Sequence, residues 1–433
     1  MTNHSMRRIA FTLIEVLIAV VLTLVLLGLM IRAFSISGSE VSKGRAILET
    51  AGQLRATSEL LRKDLAGITA KLLTNDLGTV NGYFEYIEGI SRDDTIHVLR
   101  SGDNDTSGTF GDIDDILMFT ARSEDMPFRG RFRGQTIESN YAEIIWWTVL
   151  DDVNGDGSFN VGDNLRLYRR VLLIRPDIDP ADTGVTDFGE FQQFNDLSVR
   201  LESGVIRSNG LADLANRANR FGRVQSTDGG LTWFATPFPH EPNYATFQSS
   251  ENYVLSNPTP LGTANNSEGE DIMLKSIAAF DVKVFDPEVE VQQSADGRVA
   301  VLPSDNGYGI DTTVVGHGGY VDLNYRQGNG LFTGGPSFPV PDDTSFVWTN
   351  ATYCTWSNHY ESDGLDSDGD GLIDEGINGV DDDMANGPDD LNERETMPPY
   401  PIPVRGIEVT IRILEPTNKI VRQTSVTANF VPE

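Results

Sequence analysis

Residues 11–31 read FTLIEVLIAVVLTLVLLGLMI, an apolar stretch whose single charged residue is Glu15. A helix of this length rises about 31 Å, which is enough to cross the hydrocarbon core of a bilayer. Arg7 and Arg8 precede the stretch, and Arg32 follows it. By the positive-inside rule the short basic end stays in the cytoplasm, so the bulk of the chain lies outside it. We therefore expect one membrane span, over residues 11–34.

The junction between the basic leader and the apolar stretch reads Ala10-Phe11-Thr12-Leu13-Ile14-Glu15. It resembles the prepilin peptidase site of type IV pilins and of type II secretion pseudopilins. The resemblance implies that residues 1–10 are a cytoplasmic leader peptide, that the peptidase cuts between Ala10 and Phe11, and that the new amine of Phe11 is methylated. The family usually has Gly before the cut, where this chain has Ala10.

Glu15 is also informative by its own chemistry. A carboxylate in a membrane helix costs about 2.5–3.5 kcal/mol at the bilayer centre and less near the interface. The amine of Phe11 on a neighbouring subunit would remove that penalty on assembly, which assigns Glu15 a role in assembly. The alternative is a lone signal anchor whose carboxylate reaches the headgroups.

A second helical pattern follows the membrane span. Apolar residues recur there at spacings of three and four: Ile47, Ala51, Leu54, Leu61, Leu65 and Ile68. Such a stripe is one face of an amphipathic helix, and charged residues occupy the opposite side. We expect a stalk helix over residues 35–69 that packs on the rest of the chain. A coiled coil is disfavoured by the glycines at 44, 52 and 67.

Residues 70–433 are expected to form a β-rich domain outside the cytoplasm. The candidate strands are 83–88, 95–100, 115–122, 143–149, 165–174, 197–201, 272–285, 405–414 and 420–430, with one further helix at 211–220. Segments rich in Gly, Asn, Ser and Pro, at about 222–269 and 288–400, are expected to be insertions. The predicted fold class is α+β: a long transmembrane-plus-stalk helix packed on antiparallel β-sheets, as in pilins, with long acidic loop insertions.

The charge balance excludes one class of partner. The chain has 33 basic and 64 acidic residues, a formal net charge of −31, whereas phosphate binding needs the opposite sign. Nucleic acid is therefore not an expected partner. Cys354 is the single cysteine, so no internal disulfide can form. The five histidines show no zinc-ligand spacing and no Gly-x-Ser-x-Gly motif occurs, which predicts a non-catalytic protein.

One acidic segment has the spacing of a calcium loop. Positions 1, 3, 5, 7, 9 and 12 of such a loop are occupied by Asp152, Asn154, Asp156, Ser158, Asn160 and Asp163. Gly157 stands where the sharp turn is needed, and the position 7 residue contributes its carbonyl. Asp at position 12 resembles the dockerin version of the loop. The alternative is an ordinary solvated turn.

A second acidic segment repeats most of this pattern. Positions 1, 3, 5, 7 and 9 are occupied by Asp366, Asp368, Asp370, Leu372 and Asp374. Ile377 at position 12 cannot bind a metal, so the last ligand would come from Glu375, Asn378, Asp381, Asp382 or Asp383. The segment is similar to the acidic repeats of thrombospondin type 3 modules. Calcium would be structural in both loops, and a charge-rich disordered loop is the alternative here.

The C-terminal residues 401–432 and the segment LLRKDL at 60–65 are similar to parts of the GspJ-type minor pseudopilins. The resemblance implies a non-catalytic minor pseudopilin near the tip of a type II secretion pseudopilus. Such a subunit would sit in the inner membrane by a single span, with its bulk in the periplasm. It would contact other pseudopilins or minor pilins through its helix and globular head. The alternatives are a PilW-like minor pilin of a type IV pilus and a membrane-anchored, calcium-dependent surface adhesin.

Overall fold

The computed structural model describes residues 12–70, 82–88, 115–151, 164–186, 191–192, 194–202, 204–216, 219–221, 270–294, 296–303, 305, 308–323, 325, 331, 352–355, 371–390, 393, 403–415 and 420–430. One long helix, α1 (Leu13–Ala66), begins the described chain. The chain divides into two compact units, residues 1–52 with 415–420 and residues 53–414 with 421–433. Most of α1 therefore belongs to the first unit, and its last turns belong to the second.

The strands of the described chain follow α1. They are β1 (Phe84–Ile87), β2 (Ile116–Arg122), β3 (Phe128–Phe132), β4 (Gln135–Ser139), β5 (Tyr141–Asp151), β6 (Asn164–Leu173), β7 (Val199–Glu202), β8 (Val205–Ser208), β9 (Glu270–Gln293), β10 (Ala300–Val301), β11 (Val314–Val321), β12 (Thr352–Cys354), β13 (Gly406–Glu415) and β14 (Ile420–Asn429). Strands β10, β11 and β12 lie in the range expected to be an insertion. At 211–220, where a helix was expected, the structure has a 3-10 turn at Asp213–Ala215.

Ten of these strands form one antiparallel sheet. Its order is β12-β1-β2-β5-β6-β9-β13-β14, and β10 and β11 also pair with β9. Strand β9 has 24 residues and changes partners along its length. It pairs with β6 near its start, with β13 in the middle and with β11 towards its end. The pairs β3–β4 and β7–β8 form two small hairpin sheets.

The sheet is strongly curled. The Tyr86 hydroxyl on β1 contacts the backbone carbonyl of Val282 on β9, although β2, β5 and β6 lie between these strands in the sheet order. Such a contact requires the sheet to bend towards a half-barrel, the direction in which the natural twist of strands accumulates. The main apolar core is built largely from its strands.

The predicted fold class is therefore wrong. The described residues are mainly antiparallel β, 42% of them in strands and 26% in helices, with one large curled half-barrel sheet rather than a long helix packed on a small pilin sheet. The physical reason is the source of the buried apolar surface. The buried helix side chains in the main core are Leu54, Leu61 and Leu65, whereas most of its other members are strand residues.

The end of α1 is fixed closely against the sheet. Helix α1 stops at Ala66, and the carbonyl of the next residue, Gly67, accepts a hydrogen bond of 2.7 Å from the Arg122 amide at the end of β2. A Cβ at position 67 would lie 2.5 Å from the Arg122 carbonyl oxygen. Only glycine lets the chain pass β2 at this distance.

Candidate functional site

The N-terminal part of α1 is an exposed apolar helix. Residues Leu13–Phe34 have a mean hydropathy of 2.9 and none of this window is buried. This helix is long and apolar enough to cross a membrane. Ala10 and Phe11, the predicted cleavage and methylation residues, lie outside the described residues.

Thr12 and Glu15 form a capping box at the start of this helix. The Glu15 carboxylate accepts a hydrogen bond of 2.8 Å from the Thr12 amide and one of 3.0 Å from the Thr12 hydroxyl. The Glu15 amide in turn lies 3.4 Å from the Thr12 hydroxyl oxygen. The arrangement satisfies donors that the first helical turn leaves open. Glu15 therefore has a local role that reasoning from charge alone missed, although the spacing Thr-x-x-Glu signals it.

The residues after Glu15 shape one side of the helix. A groove on the helix surface is lined by Glu15, Val16, Ala19, Val20, Thr23 and Leu24. Ala19 and Thr23 follow Glu15 at intervals of four, so the three share one face. The Thr23 hydroxyl donates to the Ala19 carbonyl at 2.7 Å. This face thus combines a carboxylate with small side chains, which let another helix approach closely in a membrane.

A buried ion pair fixes the last turns of α1 to the sheet. One carboxylate oxygen of Asp64 accepts from Arg169 Nε on β6 at 2.6 Å, and the other accepts from Arg169 Nη2 at 2.8 Å. The Trp146 indole on β5 donates to the same carboxylate at 3.0 Å. Burial raises the pKa of Asp64, while the Arg169 guanidinium acts in the opposite direction. These bonds tie the last turns of α1 to β5 and β6.

The two predicted calcium loops fall differently in the structure. All six ligands of the first loop, Asp152, Asn154, Asp156, Ser158, Asn160 and Asp163, lie outside the described residues, as do Asp366, Asp368 and Asp370 of the second. Leu372 is described and exposed. Asp374 has a φ of +55° and immediately precedes a 3-10 turn, Glu375–Ile377.

The structure instead brings together three carboxylates farther along the second segment. Oxygens of Asp381, Asp383 and Glu393 all lie within 4.8 Å of one another. Asp381 and Asp383 were among the candidates for the last ligand of the predicted loop. Glu393 was not, and the signal that could have found it is the continuation of the acidic run to that position.

Glu393 organises this acidic loop. Its side chain is buried, and its Oε1 accepts from the amides of Asp382 and Asp383 while Oε2 accepts from the amide of Asp390. These bonds bring the backbone of Asp382, Asp383 and Asp390 around the one carboxylate. Carboxylate oxygens at this spacing are the hard ligands that calcium prefers.

None of the three comparisons, with protein-family models, with curated proteins and with solved structures, gives a match for this chain.

Proposed function

We propose that the chain is a non-catalytic minor pseudopilin subunit of a type II secretion pseudopilus. Prepilin peptidase would remove residues 1–10 and methylate Phe11, and the subunit would act in filament-tip assembly and protein secretion. It would lie in the inner membrane with its N-terminus in the cytoplasm and residues 70–433 in the periplasm. The observation that carries the proposal is an exposed apolar helix with a carboxylate in its first turn.

Lipid alone covers most of this helix well. Its Leu, Val and Ile side chains need only an apolar environment, and Thr23 is already hydrogen-bonded within the helix. The charge of Glu15 is different, because the Thr12 donors supply hydrogen bonds but no opposite charge. An amine from a neighbouring subunit would supply it, so the subunit gains more from a bundle of like helices than from lipid.

The support for this function lies in the N-terminal segment. Its residues carry the specific resemblance to the prepilin site, whereas the ten-stranded curled sheet departs from the small sheet that the resemblance implies. The sheet is the part that would meet the heads of other pseudopilins.

Calcium is proposed as a structural ligand of the periplasmic domain. The support is the triad of Asp381, Asp383 and Glu393 in a segment, 371–393, that has eight acidic residues and no Lys or Arg. Two carboxylates 4.8 Å apart repel by about 3–4 kcal/mol at an effective dielectric constant of 20. A divalent cation would turn that repulsion into attraction and hold the turn around Glu393.

Two variants separate the roles of Glu15. Glu15→Gln keeps an acceptor for both Thr12 donors but removes the charge, because Gln serves equally in a capping box. Glu15→Ala removes both. We expect both variants to insert in the membrane and both to be absent from sheared filaments probed with an antibody. Thr12→Ala, which keeps the charge, should be incorporated. Normal incorporation of Glu15→Gln would refute charge pairing and leave helix capping as the role of Glu15.

The processing step has its own measurement. Mass spectrometry of the native protein, purified from membranes, should find an N-terminus at Phe11 carrying one methyl group. An intact leader would exclude the proposed function, whatever the behaviour of the Glu15 variants.

A further inference from the structure

Strand β14 forms one margin of the large sheet. Within the described residues it pairs with β13 and with no other strand. It has ten residues, about twice the length of an average strand. A strand that is bonded on one side only presents a row of backbone amides and carbonyls, with which a further strand can pair.

The pairing of β14 with β13 fixes which backbone groups face this open side. The Phe430 amide donates to the Arg405 carbonyl at 2.9 Å. Two side-chain contacts follow the same one-to-one register, Thr410 with Ser425 at 3.0 Å and Arg412 with Gln423 at 2.9 Å. No bulge therefore interrupts the pairing between these contacts, because a bulge would shift the register by one residue.

Residues of an antiparallel strand alternate between those whose N–H and C=O groups face one neighbour and those whose groups face the other. Because the Phe430 amide faces β13, the even-numbered residues of 422–428 face it as well. The backbone groups of the odd-numbered residues face the open side. These residues also have exposed side chains: Val421, Gln423, Ser425, Thr427 and Asn429.

The other strands at the margins of this sheet offer no comparable row of backbone groups. Strand β12 has three residues and β10 has two. Strand β11 has eight, but its pairing with β9 shifts register at two places. Short strands and bulges are devices by which sheets prevent the addition of foreign strands. Of these four described strands, β14 alone combines length with a regular register.

The side chains of β14 are also suited to strand addition. Arg422 is its single charged residue, whereas natural edge strands are often guarded by charges. On the inner face Val426 is buried, and Ala428 and Phe430 are partly buried against the main core. An added strand with apolar residues at alternate positions would cover this face further. The net charge of −31 opposes a second copy of the chain and favours a neutral or basic segment.

We propose that β14 accepts an extended segment of a different filament subunit as an additional strand of the sheet. The backbone of this segment would bond the open groups of the odd-numbered residues of 421–429. Its inward side chains would be apolar, and its other side chains would be uncharged or basic. The identity of the partner as a filament subunit rests on the proposed function, whereas the open side of β14 does not.

The direct test is photo-cross-linking of the full-length protein in native membranes, with benzoylphenylalanine placed in turn at Gln423, Ser425 and Thr427. We expect cross-links to one segment of another subunit. The contacted residue should move along that segment in step with the position on β14, because paired strands keep their register. The same probe at Thr424, whose backbone groups face β13, is the control and should not give this cross-link. Cross-links to a second copy, to the same chain or without a fixed register would overturn the proposal, as would their absence.

Two proline variants separate strand addition from stability. Thr427→Pro removes an amide on the open side, where an edge strand tolerates proline. Ala428→Pro removes an amide that faces β13. With the probe at Gln423, we expect Thr427→Pro to keep the urea midpoint of wild type and to lower the cross-linked fraction by about two- to tenfold, the effect of one backbone hydrogen bond. Ala428→Pro should lower the midpoint itself. An unchanged cross-linked fraction in folded Thr427→Pro would refute pairing through the open amides.

Failure of this inference can be told apart from failure of the proposed function. Removal of the leader together with filament incorporation, but without cross-links from β14, would sink strand addition alone. An intact leader would sink the filament function. Cross-links in register to a protein without a prepilin site would then still support strand addition and would refute only a filament subunit as the partner.

Discussion

The clearest quantitative prediction concerns Asp64, where α1 meets the sheet. Replacing Asp64 by Ala removes both hydrogen bonds to Arg169 and the acceptor of the Trp146 indole. It leaves a guanidinium whose side chain is 9% exposed. Removing one partner of a buried ion pair costs about 3–5 kcal/mol. The unfolding equilibrium constant should therefore rise by roughly 150-fold to 5,000-fold.

Lys63 provides a matched control one residue away. Its ammonium lies 3.3 Å from Asp125, but the two side chains are 51% and 78% exposed. Surface pairs of this kind contribute about 0–1 kcal/mol. Lys63→Ala deletes a charge from the same helical turn but keeps both hydrogen bonds between Arg169 and Asp64, so it should change stability little.

Urea unfolding of the full-length protein in detergent measures both variants, and Trp146 serves as a reporter because its indole touches Asp64. With a slope of about 2–3 kcal/mol per molar urea, a loss of 3–5 kcal/mol lowers the midpoint by roughly 1–2.5 M. A midpoint for Asp64→Ala within experimental error of that for Lys63→Ala would refute the reasoning. It would show that the apolar contacts of Leu61 and Leu65 alone hold the helix.

Two further predictions concern calcium and pH. Calcium should raise the melting temperature and chelation should lower it, since a ligand at a hundred times its Kd stabilises the folded protein by about 2.7 kcal/mol. The double variant Asp381→Asn with Asp383→Asn should reduce this calcium-dependent rise in melting temperature. Glu124→Gln, at an exposed acid, should leave the rise unchanged. No shift in wild type would remove calcium from the proposal. Burial raises the pKa of Glu143, although the hydrogen bonds that it accepts from Tyr83, Phe221 and Ser198 act in the opposite direction. The contribution of Glu143 to stability is therefore complete below about pH 4.5 and is lost as the pH rises through its folded-state pKa. The urea midpoint of Glu143→Gln should therefore fall less between pH 5 and about pH 8 than that of wild type. Equal pH dependence of the two midpoints would contradict a raised pKa for Glu143.

Strand positions could be predicted where periodicity and boundaries were strong. The expected strands at 115–122 and 165–174 match β2 and β6, and the expected strand at 272–285 lies within β9. The β3–β4 hairpin was missed, because its residues are largely polar. Its signal was the turn: Arg133 and Gly134 both have positive φ, at 54° and 71°, which is the backbone of a two-residue hairpin turn.

The candidate sites could be predicted in part, for a related reason. Glu15 was found because a charge in an apolar stretch is visible in any window of sequence. Its capping partner, three residues away, was equally local. The acidic run was visible too, but Glu393 joins Asp381 and Asp383 through backbone hydrogen bonds that close a turn. That closure depends on three-dimensional geometry that composition does not record.

The sequence by itself determined the exposed apolar helix, its carboxylate, the acidic balance and most strand positions, because each follows from residues close together in the chain. Only the tertiary structure decided the fold class. Strand β9 is long enough to pair with several strands in turn, and nothing in its own pattern selects them. Asp64 and Arg169 are 105 residues apart, and Tyr86 and Val282 are 196 apart. Such pairs form only in the folded domain, since their energy depends on burial that the completed sheet provides.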